Sequence, residues 1–456
     1  MLENIPDYKC FLTIEEMDES SRKLAASYPD VVTLTEIGKS RSGHALLCLK
    51  IGNGERNAIM YGLPHPNEPI GTMLMEHFTQ RLAEDKELRD DLGYTWYILK
   101  AQDPDGYKLN EGWIKGPFTI HNYARNFFRP AMQQQTDWTF PIDYKELHFH
   151  DVLPETQAMK DLIDSVKPHF MYSLHNAGFG GVFWYITRAL PSAYEPLREV
   201  ARKHAVPLHN GEPESPTIEI LSQAFYRIPG IDEEYDYLEK YGVKDIPSVI
   251  KGGNCSDDYA KNTYGTFTML TELPYFHDAR IDDLSYYGRS RREVVLEKID
   301  WSEKNNQIIL SILETAKAYV DGLNPFYLAL KDFTIPDRDA AERKRAMEEA
   351  EYDRGATVAE WFDNILVNRF YKLLSYGMLV RTFESELADP KTAQDERRES
   401  SLLASLDKAL EMFEKLADEL ENEFQYDVIP IKKLVSILIE SALHVLHGLD
   451  PDNFEA

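Results

Sequence analysis

The sequence predicts an α/β fold, a mixed central sheet flanked by helices on both faces, followed by an all-α C-terminal domain. Three observations lead there. Short apolar, β-prone runs alternate with segments of helical periodicity between residues 28 and 319, the pattern of strands packed against helices. Polar residues capable of chemistry stand at the ends of several of these runs, where open α/β sheets keep their sites. The composition then shifts near Pro325, and beyond Pro336 the chain is charged and helical. The division this predicts is an α/β domain over 1–325 and a helical domain over 326–456.

Residues 13–27 read as a helix in which Thr13 and Glu16 can form a capping box. Residues 31–37 and 45–51 alternate apolar with polar around a glycine turn, a two-stranded hairpin. Residues 58–61 form a short buried strand ended by Gly62, and from Ile70 the residues Met73, Leu74, His77 and Phe78 recur at helical spacing, with Pro69 suited to a first helical position. Residues 94–99 are a further strand, stopped by the turn Asp103-Pro104-Asp105-Gly106. The stretch 107–153 interleaves aromatics and prolines and reads as a long irregular connection, a kind of loop that usually serves function. A helix over 154–166 leads to a strand over 170–174, with His175 at its end. A strand over 182–187, a helix over 191–204 and a polar, loop-rich stretch over 217–253 follow. The run 264–273 is strongly β-prone and carries Glu272 near its end, and 290–319 is a long amphipathic helix.

Helices over 337–352, 358–387, 401–424 and 431–447 make up the C-terminal region. In the third, Leu403, Leu406, Leu410, Phe413, Ala417, Leu420 and Phe424 keep a three/four spacing, that of a coiled-coil seam or of a bundle core face; the second reading is adopted. Apolar faces such as Trp361, Ile365 and Phe370 need cover, either from the α/β domain or across a homodimer.

A chain of 456 residues with 43% hydrophobic and 12% aromatic residues is globular. A formal charge of −27 argues against nucleic acid or an anionic membrane as partner. Three scattered cysteines, Cys10, Cys48 and Cys255, make no disulfide framework. The opening residues have neither a basic nor an apolar leader segment and no run approaches a membrane span, so the expected location is the cytoplasm.

Between the strand at 58–61 and its helix stand His65 and Glu68. An isolated pair of this kind can be two solvated residues in a Pro-rich loop, but an imidazole and a carboxylate three residues apart can also share one metal ion, and zinc takes mixed N/O ligands. His175 and Glu272 stand at two further strand ends. An unpaired carboxylate in a run as apolar as 264–273 is costly without a partner or a task. If these strands share one sheet, their ends converge on one pocket.

These motifs resemble those of the zinc carboxypeptidases, the carboxypeptidase A-like metallopeptidase family. HPNE (65–68) resembles that family's HxxE zinc motif, DPDGY (103–107) its NPDG turn, PETQAMKDLIDSVKPHFMYSLHNAG (154–178) the helix and strand that deliver a third ligand, and TFTMLTEL (266–273) the strand of the catalytic glutamate. The hairpin at 28–52 is similar to the family's N-terminal hairpin, so the resemblance covers roughly 28–323. It implies a zinc carboxypeptidase-like fold, one Zn2+ per chain held by His65, Glu68 and His175, and Glu272 as general base. It also implies a peptide or peptide-like substrate and hydrolysis releasing a C-terminal residue.

The chain departs from the family in places. The family grips the substrate carboxylate with an Asn-Arg pair and steadies the oxyanion with another arginine. HNYARNFFRP (121–130) offers Arg125 and Arg129, with Ala124 at the Asn position, and which arginine takes which role stays open. Arg125 is the one whose RNF run matches the carboxylate-binding arginine. Ser248 stands where the family has a mobile tyrosine, and the residues after Gly253, near Cys255 and Ser256, name no side-chain preference. A deacylase or amidase acting on an acyl amino acid or murein peptide is therefore the alternative, and an inactive carboxypeptidase-like binding protein a third reading.

Overall fold

A computed structural model describes residues 5–449. Its strands follow the apolar runs: β1 (Val32–Lys39), β2 (Ala45–Ile51), β3 (Arg56–Gly62), β4 (Tyr94–Leu99), β5 (Phe170–Phe179), β6 (Phe183–Ile186), β7 (Ile220–Ser222), β8 (Phe225–Arg227), β9 (Phe267–Asp278) and β10 (Tyr426–Val428). Among the described residues these ten form one mixed sheet in the order β1-β2-β4-β3-β5-β9-β6-β8-β7, with β10 antiparallel on the last residues of β9. The central strands β4, β3, β5 and β9 run parallel to one another. Every residue of β5 is buried, as expected of a parallel strand covered on both faces.

The helices used below are α1 (Ile14–Ser27), α2 (Ile70–Glu84), α3 (Ile120–Asn126), α4 (Pro154–Val166), α5 (Pro191–Lys203), α6 (Arg291–Ala316), α7 (Asn368–Leu387), α8 (Glu396–Glu423) and α9 (Ile431–Gly448). Thr13 and Glu16 close the expected capping box on α1. The two-residue period of β3 decides which helices cover which face: Ile59 and Tyr61 join the core under α4 with Met159, Leu162 and Ile163. Ala58 and Met60 join the larger core with Met73 and Leu74 of α2.

Helices over the C-terminal region bury their apolar faces in that same larger core. α9 packs on α2 and α5, the Tyr172 hydroxyl donates to the Leu438 carbonyl at 3.2 Å, and the Trp184 indole donates to Ser441 Oγ at 3.1 Å. α7 packs on α3 and α8, and Phe370 stacks on Tyr123 at 5.9 Å between ring centroids. The buried face of α8 is Leu402, Ser405, Ala409, Phe413, Leu416 and Leu420. Leu403, the first residue of the spacing read from sequence, is 44% exposed; α8 lies against a core rather than a coiled-coil partner.

Other segments differ from their sequence reading for tertiary reasons. β5 continues past residue 174 because its parallel pairing with β9 runs on to Phe179 and Phe276. The stretch 107–153 contains α3 and a hairpin, Ile142–Tyr144 with Leu147–Phe149. The loop-rich stretch 217–253 holds β7, β8 and the helices Ile231–Lys240 and Ile246–Ile250. The helix over 358–387 is interrupted by a π-helical turn, Asp363–Val367. No helix among the described residues is long and apolar enough to cross a membrane.

Because β10 and α9 complete the sheet and its cover, a chain ending at residue 325 is expected to fail as a folded domain. Circular dichroism and a thermal melt of that fragment check this; a cooperative melt near that of the full chain would show the core to be complete without its tail.

Candidate metal centre

The site begins where β3 ends. Leu63, buried, takes a left-handed φ of 54°, a conformation costly for a branched side chain and often found at functional turns. The turn is held by Gln102 N–H donating to the Gly62 carbonyl and Asp103 N–H donating to that of Leu63. Asp103 caps Gly106 N–H at 2.9 Å. A Cβ on Gly106 would lie 2.8 Å from Pro66, so glycine is needed for the DPDG turn to sit against HPNE. Ile70 N–H, at the start of α2, donates to Asn176 Oδ1 at 2.9 Å, which ties β5 to the same corner.

This construction brings His65, Glu68 and His175 together. His65 Nδ1 lies 3.1 Å from both Glu68 oxygens and His175 Nδ1 lies 2.9 Å from Oε2. All three side chains are buried, and one donor atom from each lies within 4.8 Å of the others. Ser173 Oγ is 2.7 Å from His175 Nε2. His175 Nδ1 lies at hydrogen-bond distance from Glu68 Oε2; with Nε2–H donating to the Ser173 hydroxyl, Nδ1 would instead offer its lone pair to a bound ion, the outer support found behind metal-binding histidines. Burial first, then the Arg129 cation, pushes His65 down to about 4, so its ring is neutral at pH 7, as a ligand must be. Burial alone would raise Glu68, but His65 and His175 hold it well below the usual carboxylate range. Two imidazoles and one carboxylate, converging and buried, fit a zinc ion.

Glu272 is the register partner of His175 across β5 and β9. Its Oε1 is 3.6 Å from His175 Nδ1 and its Oε2 is buried without a partner. Burial, then the carboxyls of Glu214 and Glu68, hold it well above its usual range.

The two arginines separate. Arg129 Nη1 donates to Glu68 Oε1 at 3.0 Å and its Nε to Gln135 Oε1 at 3.3 Å. Arg125 pairs instead with Glu384 of α7. Two cavities meet at Arg129 and Glu214, which line both. One, of about 430 Å³, is walled by His65, His175, Glu272, Asp257 and Tyr237. The other, of about 480 Å³, opens beyond Glu68 and is walled by Asn176, Glu212 and the inward face of α7. Arg125 is in neither lining. Ser248 lies on the short helix Ile246–Ile250, its hydroxyl donating to the Asp245 carbonyl at 2.8 Å.

Sequence reasoning missed Glu214, a carboxyl that accepts from the Tyr185 hydroxyl at 3.0 Å, lines both cavities and is raised chiefly by desolvation. Its GEPES surroundings carry no spacing signal. Ser173 was missed as well, although its place two residues before His175, on the same side of β5, was the available clue. Replacing Ser173 by Ala is expected to weaken metal affinity ~10–100-fold without disturbing the fold, as measured by competition with a chelating dye. Unchanged affinity would remove the hydroxyl from the metal's support.

A mixed sheet with a His–Glu–His donor set at parallel strand ends, and a buried carboxyl beside it, is the arrangement of a metal-dependent hydrolase. The family model for zinc carboxypeptidases, Peptidase_M14, matches residues 17–279, more than half of the chain. The chain belongs to this zinc-dependent family. It is 26% identical over 182 residues to Carboxypeptidase D of Drosophila melanogaster, covering 36% of this chain and 12% of that protein. It is 30% identical over 118 residues to Carboxypeptidase E of Caenorhabditis elegans, covering 22% of this chain and 25% of that one. The matched part is thus a small share of either relative's length. Similar solved structures include a metallo-carboxypeptidase from Burkholderia cenocepacia, with 16% identity, 58% of this chain and 60% of that chain covered, and a TM-score of 0.35. Carboxypeptidase A from Helicoverpa armigera matches with 17% identity, 74% of each chain covered, and a TM-score of 0.35.

Proposed function

We propose that the chain binds one zinc ion through His65, Glu68 and His175 and hydrolyses an amide bond in a peptide or peptide-like substrate, releasing its C-terminal residue. The observation that carries this reading is the buried, partly unpartnered Glu272 carboxyl beside His175 and facing a cavity. A zinc ion so held supplies Lewis acidity at the scissile carbonyl and acidifies water.

Glu272 moves the proton. Its raised proton affinity suits a group that takes a proton from the attacking water and returns it to the leaving amine. The leaving residue therefore lodges in the cavity that Glu272 lines, and the acyl part extends into the cavity beyond Glu68. Arg129, at the junction, is placed to steady negative charge developing on the carbonyl oxygen or to hold a substrate carboxylate. Arg125, taken up by Glu384, is proposed as a structural ion pair.

Arg129→Lys, which keeps the charge but loses the planar fork, is expected to reduce kcat/KM about tenfold or more, with zinc content measured alongside. Arg125→Lys is expected to change it less than about threefold, as for a partly exposed ion pair. The opposite ranking would return the substrate-binding role to Arg125.

The wall that α7 puts across the acyl-side cavity favours short acyl parts, which keeps an acyl amino acid within the substrate class. Metal analysis of the purified protein, followed by a screen of free-carboxylate peptides, amidated peptides and acyl amino acids, tests the reading. Absence of bound zinc, or of hydrolysis across the whole panel, would overturn it. Hydrolysis confined to acyl amino acids would establish the deacylase.

A further inference from the structure

The acyl-side cavity is made largely by the C-terminal region. On the face that α7 and its leading turn present there, Asn364, Asn368, Lys372 and Ser375 recur at helical spacing beside Val367, Tyr371, Leu374 and Met378. The four form a polar stripe on a helix that also buries Phe370, Leu373, Tyr376 and Leu379 in the core. The π-helical turn over Asp363–Val367 starts it, and such single-turn interruptions of helices are frequent at functional sites.

Lys372 is 8% exposed. Its Nζ donates to Asn306 Oδ1, and among the described residues it forms no ion pair. The carboxylate that acts on it, Asp339, lies beyond ion-pair distance, and burial pulls the ammonium down to about 8, so it stays charged at neutral pH. The other charges of the wall are occupied. Lys298 pairs with Glu342 at 2.6 Å, Arg129 with Glu68 at 3.0 Å, and Glu212 with Arg291. Asp363 accepts from Glu212 N–H at 2.9 Å and, like Glu214, is pushed by burial toward the protonated form. A cavity of about 480 Å³ is of ligand-binding size, which spans roughly 300–1,000 Å³. It thus holds one buried cation that no carboxylate among the described residues meets in ion-pair contact. Burying such a charge is costly unless something completes it.

We infer that the C-terminal helices give the site a second recognition point, in which Lys372, with Asn368 and Ser375 beside it, holds a carboxylate on the acyl part of the substrate. The substrate class is a short peptide or acyl amino acid with an acidic group on the acyl side of the scissile bond. This rests on the hydrolase reading for the direction of the substrate, but not for the existence of the subsite.

The test pairs two peptides that differ only as N-acetyl-Glu and N-acetyl-Gln at the residue before the scissile bond. With the full zinc-loaded chain, kcat/KM is expected to favour the Glu peptide about 10- to 100-fold, the range of a hydrogen bond to a charged group. In Lys372→Met the preference should fall toward one, and in Lys372→Arg much of it should remain. Binding is read separately by calorimetry in the Glu272→Gln background, where the Glu peptide should bind at least tenfold more tightly than the Gln peptide. The same preference must disappear when Lys372→Met is added. Equal affinity for the two peptides in Glu272→Gln, which needs no lysine variant to fold, overturns the inference. So does a Glu preference that survives Lys372→Met. Failure of the wild-type chain to cleave any peptide would instead count against the hydrolase reading, with the binding preference still deciding the subsite.

Discussion

Replacing Glu272 by Gln is expected to cut turnover by about 10²–10⁴-fold, the usual worth of a positioned general base, while zinc content stays at the wild-type level. The side chain is buried on β9 opposite His175 and lies outside the three-residue donor cluster, so an amide of the same shape keeps the packing and loses only the ability to take a proton. Stability should move the other way. A carboxyl whose folded-state pKa lies above its unfolded value favours the folded state least once it ionises, so its contribution falls as pH rises from the unfolded value through the folded one. Glu272 is such a group, raised by burial and by Glu214 and Glu68. In the chelated protein, Glu272→Gln should therefore melt higher than wild type, by a margin that grows from about pH 4 upward. A variant with normal turnover would take the base role away from Glu272.

Removing the metal should abolish hydrolysis and lower the melting temperature, and zinc added back should restore both at one ion per chain. An ion that binds only the folded chain stabilises it by about 4 kcal/mol at a thousandfold excess over Kd. His65 does not become a substitute cation when the ion leaves, because burial and Arg129 keep its ring neutral near pH 7. Arg129 then remains as the Glu68 carboxylate's cationic partner. Full activity after chelation, or saturation at two ions per chain, would contradict the site as proposed.

That His65, Glu68, His175 and Glu272 come together was legible in the sequence because each belongs to a local pattern, a polar residue closing an apolar run, and because neighbouring parallel strands end at one edge of the sheet. The arginines were not legible in the same way. Two guanidiniums four residues apart have similar local surroundings, and what separates them is Glu384, 259 residues further along the chain, which takes Arg125 away from the cavity. Glu214 is invisible for a related reason: its place depends on the Tyr185 hydroxyl and on a loop without periodicity. The mixed sheet and the helical tail could be read from periodicity. That the tail supplies β10 to the sheet could not, since a three-residue strand is too short to show alternation.

That late strand and α9 bear on how the protein is made. Synthesis adds ~5–20 residues per second, so about ten seconds separate residue 325 from residue 448. Through that interval the face of β5 and β6 that carries Tyr172 and Trp184 has neither the Leu438 carbonyl nor Ser441 to cover it. The nascent chain thus leaves the ribosome with its sheet open along one face and the last residues of β9 unpaired at their β10 edge. Its final collapse waits on contacts of long sequence separation, which form slowly. A holding chaperone would find its binding surface there, and codon changes that slow translation of the tail would lengthen the exposure without altering a single side chain.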